Sequence, residues 1–252
     1  MDAQPKLPKN WPPNLPYLSH PSHSPALSPS HLSALKTPPK SEPPLPTIPK
    51  SLNPGPSPNV LILPISDPSH PANGQHGLFA ARDLAPGELI VVYLGEVHPA
   101  GDPRHETSDY DLWLDREVDV AVDACDMGNE GRFVNDYRGV PDFGATSYSG
   151  GGGGRGKNGK GKGGWKDKEG KRRGPNAEFR EVWDGRFGER GMGVFVLPVR
   201  KRAVGRERVV GIGRREEVLV SYGKGFWEGR TEGDGDGKVE EGVGVEVEEG
   251  ES

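Results

Sequence analysis

The chain has 252 residues, of which 38 are glycine and 26 are proline, so about a quarter belongs to the two residue types that interrupt helices and strands. With 32% hydrophobic and 27% charged residues, one core running through the whole length is excluded, and a single folded domain with disordered flanks is expected. The 32 Lys and Arg against 37 Asp and Glu give a net charge of −5, which rules out a uniformly basic protein that coats nucleic acid. Cys125 is the single cysteine, so an internal disulfide and a zinc site made from several thiolates of this chain are excluded as well.

About two-thirds of the prolines precede Asn59, in stretches such as Pro43-Pro44-Leu45-Pro46 that lack amide donors for helix or sheet ladders. Residues 1–58 are therefore expected to form an extended, disordered arm. Met1 to Lys9 hold no apolar stretch of signal-peptide length, and the longest apolar runs are strand-sized, so a soluble, intracellular chain with no membrane contact is expected.

From Asn59 the pattern changes. Val60 to Leu63, Gly77 to Ala80 and Glu88 to Leu94 read as short strands rich in branched and aromatic residues, with Ala85-Pro86-Gly87 as a turn between the last two. Tyr110 to Asp115, Val118 to Asp123, Val194 to Val199 and Val218 to Tyr222 continue the series, and little helical periodicity is sustained. The region 59–227 should be mostly β. It is interrupted over 150–174 by glycines interleaved with lysines and arginines, which read as a flexible insertion, and residues 228–252 read as an acidic, solvated tail.

Four blocks of this β region, taken together, resemble the SET-domain family of lysine methyltransferases. The first is Gln75-His76-Gly77-Leu78-Phe79-Ala80 with Arg82 to Ile90 and then Tyr93-Leu94-Gly95-Glu96. The second and most specific runs from Asp123 to Asn135 and matches the family's D-A-x-x-x-G-N-x-x-R-F-x-N stretch at every fixed position. The third is Pro175-Asn176-Ala177-Glu178-Phe179, parted from Asn135 by the insertion, and the fourth is Glu216 to Trp227, similar to the closing tyrosine segment and its aromatic pair.

The resemblance implies a SET fold of several short β-sheets, in which Asn135 and Asn176 meet at a knot-like crossing threaded by the C-terminal segment. It also implies S-adenosyl-L-methionine as cofactor, no catalytic metal, a lysine-bearing protein substrate such as a histone, and the nucleus rather than the cytoplasm. Methyl transfer from a sulfonium is an in-line displacement, so a neutral lysine amine, the methyl carbon and the sulfur must be aligned away from water.

By that resemblance Tyr222 is the catalytic candidate, its phenol orienting the amine and its ring face favouring the sulfonium charge, and Tyr93 completes the channel wall. His76, Gly77, Leu78 and Phe79 form the loop beside the methionine moiety, Asn135 is a polar anchor, and Trp227 stacks over adenine. Gly128, Asn129, Arg132 and Phe133 read as scaffold. His98, His105 and Glu106 are not at the helix or hairpin spacing of metal ligands.

Two departures stand out: Gln75 replaces the first glycine of the family's G-x-G turn, with Gly74 one place earlier, and Asp136 replaces the histidine after Asn135. They motivate an alternative, a catalytically inactive SET-derived peptide-binding or chromatin-associated module. A third reading makes the basic insertion a weak, salt-sensitive nucleic-acid contact.

Overall fold

The computed structural model describes residues 7–38, 40, 43–141, 174–198 and 211–223. The chain divides into two units, Met1–Ser221 and Tyr222–Ser252, and every element below belongs to the first. Residues 150–173 of the expected insertion and the whole acidic tail lie outside the described residues.

Two four-stranded sheets carry the unit. The first sheet has the order β1 (Ser22–His23), β6 (Glu96–Pro99), β8 (Val120–Asp123), β7 (Asp111–Asp115). The second has β2 (Thr47–Ile48), β10 (Ala177–Asp184), β11 (Glu189–Val196), β5 (Leu89–Tyr93). Two smaller pairs complete it: β3 (Val60–Pro64) runs antiparallel to β4 (His76–Ala80), and β9 (Asn135–Asp136) runs parallel to β12 (Leu219–Val220). The molecule is mostly β, as its branched and aromatic runs require.

The turn expected at 85–87 forms, with Glu88 N–H donating to Ala85 C=O at 3.0 Å and Gly87 taking φ +78°. Between β5 and β6 the chain passes so close to β8 that a Cβ on Gly95 would sit 2.2 Å from the Asp123 carbonyl oxygen, a position only glycine can fill.

The arm is where the structure differs from the sequence reading. Residues 7–58 are not a disordered arm where they are described, because the segment lies along both sheets. Its strand β1 pairs in parallel with the edge of β6, and β2 pairs in parallel with the edge of β10. A helix, α1 (Pro29–Leu35), starts at a reciprocal cap: Ser28 Oγ accepts from His31 N–H and His31 Nδ1 accepts from Ser28 N–H, each at 3.2 Å.

Trp11, Leu27, Leu35 and Ile48 of this segment are all buried. Leu27 and Leu35 pack with Tyr93, Val97, Leu114 and Val122, whereas Ile48 packs with Val92, Leu94, Val182 and Phe195. Proline fixes an extended course but does not forbid one or two ladder bonds between prolines, nor apolar anchors at intervals. Those two uses place the arm on the domain.

Candidate functional site

The C-terminal strand segment is threaded between two others. Ala80 N–H donates to Glu216 C=O at 2.9 Å and Val218 N–H to Leu78 C=O at 2.8 Å, so residues 216–218 run antiparallel to β4. Immediately afterwards β12 switches to β9, and Tyr137 N–H donates to Val220 C=O at 2.9 Å. Asn176 closes the far side: its N–H donates to Leu219 C=O at 2.9 Å, its Nδ2 donates to Glu217 C=O at 2.7 Å, and its Oδ1 accepts from Leu219 N–H at 2.8 Å. Asn135 Nδ2 donates to Glu217 Oε1 at 2.9 Å. The two asparagines thus meet around one buried segment, forming the crossing expected from the motifs.

Gly77 belongs to the same cluster. A Cβ there would lie 2.8 Å from Glu217 Oε1 and 3.1 Å from Asn135 Nδ2, so the carboxylate and the amide rest directly against the β4 backbone. Gly77→Ala is expected to destabilise the fold by about 1–3 kcal/mol through overpacking. A urea titration checks it, and an unchanged midpoint would mean the cluster yields freely.

Residues 76–79 belong to strand β4, as the run Gly77 to Ala80 predicts, and not to the loop that the family resemblance implies. His76 is exposed and its ring meets Phe133 edge-on at 6.2 Å, while Leu78 and Phe79 are buried. Any contact those two make with a ligand therefore falls to their backbone. Gly74, with φ +83°, takes the left-handed turn just before the strand, and Gln75 C=O accepts from Ile65 N–H at 2.8 Å. Asp136 is also buried, and it accepts from Arg138 Nη1 at 2.7 Å.

Tyr93 lies at the end of β5, buried, with its hydroxyl donating to Tyr110 C=O at 2.7 Å and its ring edge-on to Phe179 at 5.7 Å. It borders a cleft shared with Leu114, Val122, Asp184, Arg190 and Met192. A short 3-10 helix, Glu130–Phe133, packs against both β5 and β4 and so links the tyrosine strand to the Gly77 strand. Asn129 fixes its start: Nδ2 donates to Val92 C=O at 2.7 Å, and Oδ1 accepts from Leu94 N–H at 3.1 Å and Gly131 N–H at 3.2 Å. These contacts give Asn129 the scaffold role expected of it. Tyr222 opens the second unit and is half-buried, and Trp227 lies outside the described residues.

Two features escaped the sequence reading. One is His70, in the loop from β3 to β4, which reaches Glu217 and has no motif around it. The other is a parallel stack of His98 on His105, with ring centroids 3.7 Å apart. His105 Nδ1 lies 2.7 Å from Asp123 Oδ2, and its Nε2 is 3.5 Å from Glu96 Oε2. Among the described residues, no group of three His, Cys, Asp or Glu side chains is placed to hold a metal ion.

His98 faces an acceptor at each ring nitrogen, Pro99 C=O at 2.8 Å from Nδ1 and Asp111 Oδ1 at 3.1 Å from Nε2, an arrangement that suits the imidazolium. Burial pulls its pKa down, but Asp111 and the Pro99 carbonyl outweigh that and hold it above the ordinary histidine value. A raised folded-state pKa gives stability that is fully present below the unfolded value of about 6.5 and is lost as pH rises through the folded value. Urea midpoints should therefore fall in the wild type as pH rises above about 6.5. In His98→Gln that slope should flatten, and an equal slope in both proteins would assign the titration elsewhere.

Neither a family model nor a curated protein matches the chain. Among solved structures it is similar to the Chaetomium thermophilum polycomb repressive complex 2, with 20% identity and a TM-score of 0.34 over 59% of this chain and 14% of that one. It is also similar to ctPRC2 in an autoinhibited conformation bound to S-adenosylmethionine, with 18% identity and a TM-score of 0.38 over 72% of this chain and 17% of that one. A third is ATXR5 in complex with histone H3.1 mono-methylated on R26, with 12% identity and a TM-score of 0.47 over 83% and 81% of the two chains. The chain thus spans only 14% to 17% of the polycomb chains it matches. Its own architecture, small sheets joined by a threaded C-terminal segment, is SET-like.

Proposed function

We propose that this protein transfers a methyl group from S-adenosyl-L-methionine to a lysine side chain of a protein substrate, a histone being the first to test. The observation that carries the reading is the threaded cluster itself. Gly77, Asn135 and Asn176 come from three motif blocks far apart in sequence, and all converge on residues 217–219. In this reading the β4 backbone and Asn135 hold the methionine part of the cofactor, Tyr93 walls the lysine channel, Tyr222 orients the amine and Trp227 covers adenine. A methyl donor with a positive sulfonium needs no metal and no acid catalyst, only alignment and a dry channel that favours the neutral amine.

The test is incubation of the full chain with isotopically labelled S-adenosyl-L-methionine and a cell extract, followed by mass spectrometry. Label on lysine side chains is expected, histone tails among them and the nucleus as the site of action. Cofactor binding by calorimetry without any label transfer would instead favour the alternative of an inactive SET-derived binding module. A specific observation points toward that second reading: Asp136, where the family has histidine, is buried in an ion pair with Arg138.

A further inference from the structure

We infer that His70 is a positioning residue that acts through Glu217 to fix the orientation of the Asn135 side-chain amide. Asn135 Oδ1 is thereby kept as an acceptor for the ammonium group of an amino-acid-bearing cofactor. The inference rests on the methyltransferase reading above.

The proton positions follow from the partners. Ala72 N–H donates to His70 Nδ1 at 3.0 Å, and a backbone amide has only a proton to offer, so Nδ1 is bare and the ring proton is on Nε2. Nε2 lies 3.1 Å from Glu217 Oε2 and donates to it. The other oxygen, Oε1, accepts from Asn135 Nδ2. His70 is 7% exposed and Glu217 5% exposed, so water does not replace these partners.

The carboxylate cannot drift to suit the amide. Its main chain is held by Asn176 Nδ2 on its carbonyl and by the ladder bonds of Glu216 and Val218 to β4, and Gly77 leaves room for it and no more. An ionised carboxylate only accepts, so the amide must turn its NH2 end to Glu217, which puts the carbonyl oxygen at the other end. Without the His70 donor, Glu217 Oε2 loses the partner that fixes the rotation of the carboxylate. A carboxylate free to rotate no longer holds Oε1 on Asn135 Nδ2, and the amide then has two competing orientations.

The test is calorimetric titration of the full chain with S-adenosyl-L-methionine for wild type, His70→Phe, Asn135→Ala and the double variant, with thermal melts to establish folding. Each single substitution should weaken binding about tenfold, and the double variant should be no more than about twofold weaker than Asn135→Ala alone, because His70 acts only through Asn135. His70→Gln keeps an N–H near the Nε2 position and should bind within about threefold of wild type. Losses that multiply to about a hundredfold in the double variant overturn the inference while leaving the methyltransferase reading intact. If His70→Phe does not fold, a tenfold loss in folded His70→Gln overturns it equally. No cofactor binding by the wild type overturns both readings.

Discussion

A chain lacking residues 1–58 is expected to lose its cooperative thermal transition and its near-UV circular dichroism, even though the motifs that resemble the SET family all lie after Asn59. Leu27, Leu35 and Ile48 pack against strands of both sheets, Trp11 is buried with its ring edge-on to Phe133, and burial of each large apolar side chain is worth about 2 kcal/mol. Four of them approach the whole net stability of a typical domain, which is about 5–15 kcal/mol. Their removal also uncovers the edges of β6 and β10, the places where β1 and β2 now pair, and an uncovered edge invites association between chains. Aggregation on refolding should accompany the loss. A truncated chain that melts cooperatively within a few degrees of the full one would show that the arm only decorates the surface.

How much of this was legible in the sequence depends on where the signal sits. Strands β3, β4, β5, β7 and β8 fall where runs of branched and aromatic residues placed them, and β4, β5 and β8 each bury a continuous stretch. Strand β10 was missed: Ala177–Asp184 interleaves glutamate, arginine and aspartate with its apolar residues and buries little more than Ala177, Val182 and Asp184. Most of β11 was hidden by Gly191 and Gly193, and Gly193 is needed where the Phe195 ring and Leu89 come close. The arm misled for a different reason. Composition reports what a segment cannot do along its whole length, but here four buried anchors and five paired residues, Tyr17, Ser22, His23, Thr47 and Ile48, lie on the domain, and neither changes the composition.

The site divides in the same way. The asparagine crossing was legible because Asn135 and Asn176 stand in motif blocks whose spacing is specific. His70 was not, because its partner Glu217 is 147 residues away and only the β3 to β4 loop brings them together. The histidine stack was hidden by the same kind of distance. His98 is on β6 and His105 on a 3-10 helix that Asp102 caps, and neither element was anticipated.

Tyr222→Phe is expected to lower turnover about a hundredfold or more while leaving cofactor affinity within about twofold. The substitution keeps the ring, and with it both packing and the attraction of the ring face for a sulfonium. What it removes is the hydroxyl proposed to hold the lysine nitrogen in line with the methyl carbon. In a displacement whose catalysis is mostly alignment, losing about 3 kcal/mol of that orientation costs about a hundredfold in rate, because each 1.36 kcal/mol is a factor of ten. The effect should therefore fall on turnover at saturating S-adenosyl-L-methionine and not on its dissociation constant. Tyr93→Phe should behave differently: its hydroxyl is already engaged by the Tyr110 carbonyl, so its loss is expected to change the wall of the proposed channel more than the rate of transfer. Single-turnover kinetics with a labelled cofactor separates the two variants. A Tyr222→Phe protein with near-wild-type turnover would remove Tyr222 from the catalytic role, and equal losses in both variants would indicate that channel shape, not the Tyr222 hydroxyl, sets the rate.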